Sequence, residues 1–150
     1  MKIKLDISPD YQEKEIVIKA AQKDDEVQQI LDGLKDIEER FNHLNGYLDE
    51  TVYSLAIKDI LFFETNDRNV YAHTTNNAFL THYRLYELEE NLPDNFLRVS
   101  KSTILNVDEI LSLSRSVTGN LVQFKNTYKQ IYVSRRFLHD LKDKLKQRKF

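Results

Sequence analysis

Cysteine is absent from this 150-residue chain, and glycine and proline are scarce, at three and two residues. Without cysteine there is no disulfide, no thiolate zinc site and no thiol nucleophile. Three glycines do not make a phosphate-cradling loop of the P-loop or dinucleotide kind. Long apolar runs are also missing. The longest stretch of bulky apolar residues is Ile60-Leu61-Phe62-Phe63, whereas a membrane span needs roughly 20. The start, Met1-Lys2-Ile3-Lys4-Leu5-Asp6, lacks the apolar core of a secretion signal. A soluble, cytoplasmic protein is the resulting expectation.

What is present suffices for a folded domain. Apolar residues make up 41% of the chain, enough to bury a core. The formal net charge is −2, but it is unevenly spread. Residues 1–95 carry 10 Lys and Arg against 20 Asp and Glu, and residues 96–150 carry 12 against 4. Such polarity points to a polyanion-facing C-terminal part or to two solvated faces of opposite sign.

Periodicity divides the chain near residue 47. In 1–46, the alternation of residues 2–7 and the run 15–20 predict two short strands around the turn signal Pro9-Asp10. Asp25 and Gln28 then resemble a capping box. Val27, Ile30, Leu34, Ile37, Phe41 and Leu44 follow at steps of three and four, one apolar seam on a helix. Asn45-Gly46 reads as its stop. The seam either packs on its own domain or forms a dimer or partner surface. From residue 47 to 150 the pattern turns to β. Turn signals at Asn66-Asp67-Arg68-Asn69, Asn76-Asn77 and Thr118-Gly119-Asn120 separate strand-like runs. Leu85, Leu88 and Leu92 mark a short helix stopped by Pro93. The run 96–110 alternates as a half-buried strand does, Gln130–Val133 is the last strand, and Ser134 opens a closing helix along Leu138, Leu141 and Leu145. The expected class is α+β, predominantly antiparallel β.

Catalytic patterns are missing. His43, His73, His82 and His139 form no metal-ligand spacing, and no serine sits in a Gly-x-Ser-x-Gly elbow. Carboxylates lie in solvated runs. The sequence therefore predicts no enzyme, no metal, no cofactor and no small-molecule substrate. Binding groups are better represented. Arg and Lys engage phosphate by charge, Arg reads guanine by paired hydrogen bonds, and Ser, Thr and Asn reach phosphate oxygens without bulk. Three clusters offer them beyond strand ends: Arg68-Asn69, Ser100-Lys101-Ser102-Thr103 and Ser134-Arg135-Arg136.

These residues sit within a wider resemblance to the LytTR family of bacterial DNA-binding domains, from about Gly46 to Lys146. Asp59-Ile60-Leu61-Phe62-Phe63-Glu64 is similar to the family's aromatic strand ending in glutamate. Leu85-Tyr86-Glu87-Leu88-Glu89-Glu90-Asn91-Leu92-Pro93 and Phe96-Leu97-Arg98-Val99 follow in order. Ser100-Lys101-Ser102 with Leu105-Asn106 stands where the family usually shows His-Arg-Ser and Val-Asn. Val133-Ser134-Arg135-Arg136-Phe137 matches the closing element. The departures are Ser100, where His is common, and Lys101, where Arg or Asn is common. A lysine is a point charge rather than a planar fork, which favours phosphate over base at that position.

The resemblance implies a β scaffold whose loops enter successive major grooves of duplex DNA. By motif, the loops are Asp67-Arg68-Asn69 and Ser100-Lys101-Ser102, with Arg135 a third contact. For Arg136, a phosphate contact and packing of its stem on the closing helix both stay open. Phosphate affinity is also expected from the lysines near the C-terminus. The short type without a receiver domain further implies a homodimer or paired copies on repeated half-sites, and a small membrane protein as regulator. A protein-interaction adaptor that keeps the scaffold without specific DNA binding is the alternative.

Overall fold

The computed structural model describes residues 1–40 and 42–148, and divides the chain into two compact units, Met1–Asp36 and Ile37–Phe150. Residue 47, near which the sequence pattern turns to β, lies in the second unit.

Helix α1 (Asp25–Arg40) begins after Asp24 in the first unit and runs past its end. The Val27 N–H donates to Asp24 Oδ1 at 2.9 Å, so the cap lies one residue before the expected Asp25. Asp25 and Glu26 in the first turn suit the positive end of the helix dipole. Residues 2–7 and 15–20 form neither strand nor helix, contrary to expectation. Alternation alone does not make a strand, because the backbone donors and acceptors need a partner ladder. Of the seam, Val27, Ile30 and Leu34 are half-buried and Ile37 is exposed, while Phe41 lies outside the described residues.

Leu44 departs from the seam altogether. It sits in β1 (His43–Leu48), which pairs antiparallel with β2 (Thr51–Ala56), and is buried in the sheet core. Gly46 is likewise no helix stop. A Cβ there would stand 2.5 Å from Leu55 Cδ1 and 2.8 Å from Phe79 Cβ. The glycine lets β1 lie close against its neighbours, and that burial outweighs the helical spacing.

A 3-10 turn at Ile57–Asp59 leads to β3 (Phe62–Asn66), β4 (Asn69–His73) and β5 (Ala78–Thr81). Helix α2 (Leu85–Asn91), β6 (Phe96–Arg98) and β7 (Thr103–Asn106) follow. Strands β8 (Ile110–Ser116), β9 (Gly119–Phe124) and β10 (Gln130–Val133) precede α3 (Arg135–Gln147). The first seven strands make one sheet in the order β2-β1-β5-β4-β3-β7-β6, and β10-β9-β8 make a second. All the pairings are antiparallel.

Strands β3 and β7 lie inside the large sheet and are covered on both faces. Phe62 faces Leu105 and Phe63 faces Ile104 across the ladder. Neighbouring side chains alternate faces, so Phe63 and Ile104 join Leu85, Leu88 and Phe96 in one core. Phe62 and Leu105 join Val122, Phe124, Ile131, Val133 and Leu141 in the other. Each such phenylalanine contributes about 1.5–3 kcal/mol by burial. Thr103–Asn106 is buried at all four positions, so the half-buried alternation expected there is replaced by two-sided burial. The Asn106 amide is satisfied. Its Nδ2 donates to the Ile60 carbonyl at 3.1 Å, and its Oδ1 accepts from Asn95 Nδ2 at 2.8 Å and from the Asp108 N–H at 3.0 Å.

Gly46→Ala is expected to destabilise the second unit by about 1–3 kcal/mol through overpacking. Urea unfolding followed by tyrosine fluorescence measures it, and an unchanged midpoint would show that Leu55 and Phe79 yield freely.

Candidate nucleic-acid interface

The antiparallel registers decide which loops meet. Strand β3 ends at Asn66 where β4 begins at Asn69, and β7 begins at Thr103 opposite Glu64. The 66–69 turn and the 99–103 loop therefore leave the sheet at the same end. Two backbone bonds tie this end together. The Thr65 N–H donates to the Ser102 carbonyl at 2.9 Å, and the Ser134 N–H donates to the Val99 carbonyl at 2.9 Å. The second bond brings the start of α3 to the same loop. All three clusters singled out in the sequence thus share one edge.

At the hairpin tip, Asp67 and Arg68 have φ of 49° and 71°. Two consecutive positive φ values mark the two-residue hairpin turn that ordinarily takes Asn-Gly or Asp-Gly. An arginine in the left-handed region costs roughly 1–2 kcal/mol. Such a local cost is common where a side chain is needed at a tip. Arg68 and Asn69 are exposed.

The second loop is braced from within. Arg98 Nε donates to the Ser100 carbonyl at 2.7 Å, another of its nitrogens donates to the Lys101 carbonyl, and its Nη1 meets Glu89 Oε2 at 2.8 Å. The Ser102 N–H donates to Ser100 Oγ at 3.2 Å, and the two hydroxyls stand 3.3 Å apart. Lys101 and Ser102 face solvent, and Ser100 is half-buried. The sequence marked Arg98 only as part of a motif. Its local signal was a cation next to an apolar strand, which does not reveal a clamp on the following loop.

At the third cluster, Ser134 occupies the N-cap position of α3 and opens the helix, but its hydroxyl makes no capping bond there. Arg135 and Arg136 are exposed in the first turn. Cations at a helix N-terminus oppose the dipole, so this arrangement concentrates positive potential where backbone N–H groups already favour anions. Arg136 Cζ stands 5.4 Å from the Phe137 ring centroid. Arg84 carries no motif signal in the sequence. Thr81 pairs with Val70, so exposed Arg84 leaves the sheet at this same end.

Helix α3 runs away from the edge. It begins beside Val99 and closes near Asp108, whose carboxylate pairs with Arg148. Asp108 lies beyond the far end of β7, so Lys144 and Lys146 stand away from the three loops. Lys149 is outside the described residues. The far end of the sheet has its own polar cluster. Lys129 Nζ contacts His73 Nδ1 at 3.1 Å and donates to the Asn77 carbonyl at 2.7 Å. Burial, with Lys129 adding to it, pushes the His73 pKa down to about 4, so the ring is neutral at pH 7. Burial also lowers the Lys129 pKa. Its ammonium is engaged by the protein, whereas Lys101 and Arg135 point outward. Among the described residues, no three His, Cys, Asp or Glu side chains stand close enough to hold a metal ion.

The model of the LytTr DNA-binding domain family matches residues 50–146. An uncharacterized HTH-type transcriptional regulator of Staphylococcus aureus (strain MRSA252) is 35% identical over 145 residues, covering 97% of this chain and 98% of that protein. A counterpart from strain NCTC 8325 / PS 47 is 34% identical over the same shares. A solved LytTr DNA-binding domain from Bacillus cereus aligns with a TM-score of 0.63 at 20% identity, over 68% of this chain and 94% of that one. At that identity the likeness is one of fold.

Arg98→Met removes the clamp on the 99–103 loop. Amide exchange at Ser102, whose N–H is bonded to Ser100 Oγ, is expected to quicken roughly tenfold, the loss of about 1.4 kcal/mol of local hydrogen bonding. NMR-detected exchange measures this. Unchanged rates would mean that the serine hydroxyls alone hold the loop.

Proposed function

The chain belongs to the LytTr DNA-binding domain family, and we propose that it is a bacterial transcription regulator that holds duplex DNA by the loop edge of its large sheet. One observation supports this reading: the backbone bonds Thr65 to Ser102 and Ser134 to Val99 draw three cationic, polar clusters, two of them bearing hydroxyls, onto one edge. The roles divide by chemistry. Arg135 and Arg68 have the planar fork that reads guanine in the major groove. Lys101 and Arg136 supply phosphate charge, with Ser100, Ser102 and Asn69 donating to phosphate oxygens. The mechanism is binding in the cytoplasm, as a homodimer or as paired copies on repeated half-sites. The exposed cations Arg68, Lys101, Arg135 and Arg136 at that edge support it, since displaced counterions make the affinity fall with salt.

Fluorescence anisotropy against duplex DNA from the region upstream of the protein's own gene, beside a scrambled duplex, tests the proposal. Preference for the upstream duplex, weakening as salt rises, is expected. Arg135→Ala should reduce the specific complex by about 1–3 kcal/mol and spare the scrambled one. Lys146→Ala, at the far end of α3, should change neither by comparison. Equal binding to both duplexes, or none, would favour the interaction adaptor.

A further inference from the structure

The first unit does not close a core of its own. None of residues 1–36 is buried. Units below about 40 residues ordinarily need a disulfide, a metal or a partner chain. The chain has no cysteine, and the described residues hold no metal cluster. Yet the unit displays apolar side chains in a regular order. Ile3 and Leu5 are each 85% exposed and Ile7 is 79% exposed. They alternate with Lys2, Lys4 and Asp6, which is the pattern of a half-buried strand, but no ladder partner is present.

We infer that residues 2–8 pair antiparallel with the same residues of a second copy of this chain, about a two-fold axis through Leu5. Among the registers centred on residues 3 to 6, this one alone sets no like charges opposite each other, and centring on Ile7 sets Leu5 against Pro9, which has no N–H for the ladder. Leu5 faces Leu5 of the second copy, Ile3 faces Ile7, Lys4 faces Asp6, and Lys2 faces Ser8. One side of the ribbon is then wholly apolar and the other carries two opposite-charge pairs, both stabilising across strands. Centring on Lys4 sets two lysines opposite each other, and centring on Asp6 sets two aspartates opposite each other. Centring on Ile3 sets Lys2 against Lys4. Any odd shift puts apolar residues against polar ones. Asp6 already accepts a hydrogen bond from the Tyr11 hydroxyl at 2.8 Å, and a carboxylate has acceptor capacity left for Lys4.

A two-stranded ribbon needs a floor beneath its apolar side. The first unit has one, a groove of about 400 Å³ lined in part by Ile16, Ile18, Val27, Leu31 and Leu34. Closing the ribbon on it covers surface that the single chain leaves in water. This interface concerns the first unit only and does not depend on the proposed DNA edge.

Because the chain is free of cysteine, single cysteines report the register in the full-length protein. Directly opposed residues of an antiparallel pair have Cα atoms about 4.5–5.5 Å apart, within disulfide range. Under mild oxidation Leu5→Cys should give about tenfold more covalent dimer than Ile3→Cys or Ile7→Cys alone. A mixture of Ile3→Cys and Ile7→Cys chains should cross-link to each other. In sedimentation velocity, Lys4→Asp should weaken the dimer about tenfold, and adding Asp6→Lys should restore it. A monomer at all concentrations, equal cross-linking at the three positions, or a dimer indifferent to the charge exchange would each overturn the inference. No DNA enters these assays, so failure of the DNA reading would leave them readable.

Discussion

Strand β3 is the member on which the rest of the second unit depends. It is paired on one side by β4 and on the other by β7. It also sends Phe62 into one core and Phe63 into the other, where Phe62 lies 5.2 Å from Phe124 and Phe63 lies 5.9 Å from Phe96 between ring centroids. A strand held on four sides cannot slip by one residue without exchanging its phenylalanines between cores. Its register therefore fixes where the 66–69 turn and the 99–103 loop emerge. The bond from Ser134 to Val99 adds α3 to the same end. The positions of three surface loops thus follow from a buried pairing several residues away.

The edge gains its character by breaking local rules. Arg68 adopts a positive φ that glycine or asparagine would take at less cost. Arg135 and Arg136 open a helix against its dipole. Arg98 spends its guanidinium on loop carbonyls and Glu89 rather than on solvent. Departures of this kind tend to gather at functional places. The far end of the sheet behaves oppositely, since Lys129 bonds to the protein and His73 stays neutral. The relatives in Staphylococcus aureus carry a helix-turn-helix designation in their names. Here α1, α2 and α3 are each separated by five strands, so the described residues contain no pair of helices joined by a short turn.

Much of the second unit was legible in the sequence because its signals are local. The Asn66–Asn69 turn, the hairpin through Asn76-Asn77, the stop at Pro93 and the strand Gln130–Val133 each depend on a few adjacent residues. The errors arose where distant partners decide. Residues 2–7 have the alternation of a strand but no ladder in the single chain. Leu44 kept the helical spacing, yet the close approach of Leu55 and Phe79 to Gly46 and the burial of Leu44 in the sheet core draw it into β1. Two-sided burial of Thr103–Asn106 could not be told from half-burial, since both begin from a short run rich in apolar residues. Residue type and motif mark the candidate site residues, whereas their meeting on one edge comes from sheet register. The clamp of Arg98 and the placement of Arg84 had no local signal.

On the proposed reading, the 66–69 turn, the 99–103 loop and the start of α3 act as one binding edge. NMR titration of the full-length protein with duplex DNA checks whether they do. Amides of residues 66–69, 99–103 and 134–136 should shift together along a single binding curve, while 74–77 and 126–129 at the far end stay in place. Shifts centred on the far end, or on residues 1–36, would contradict it.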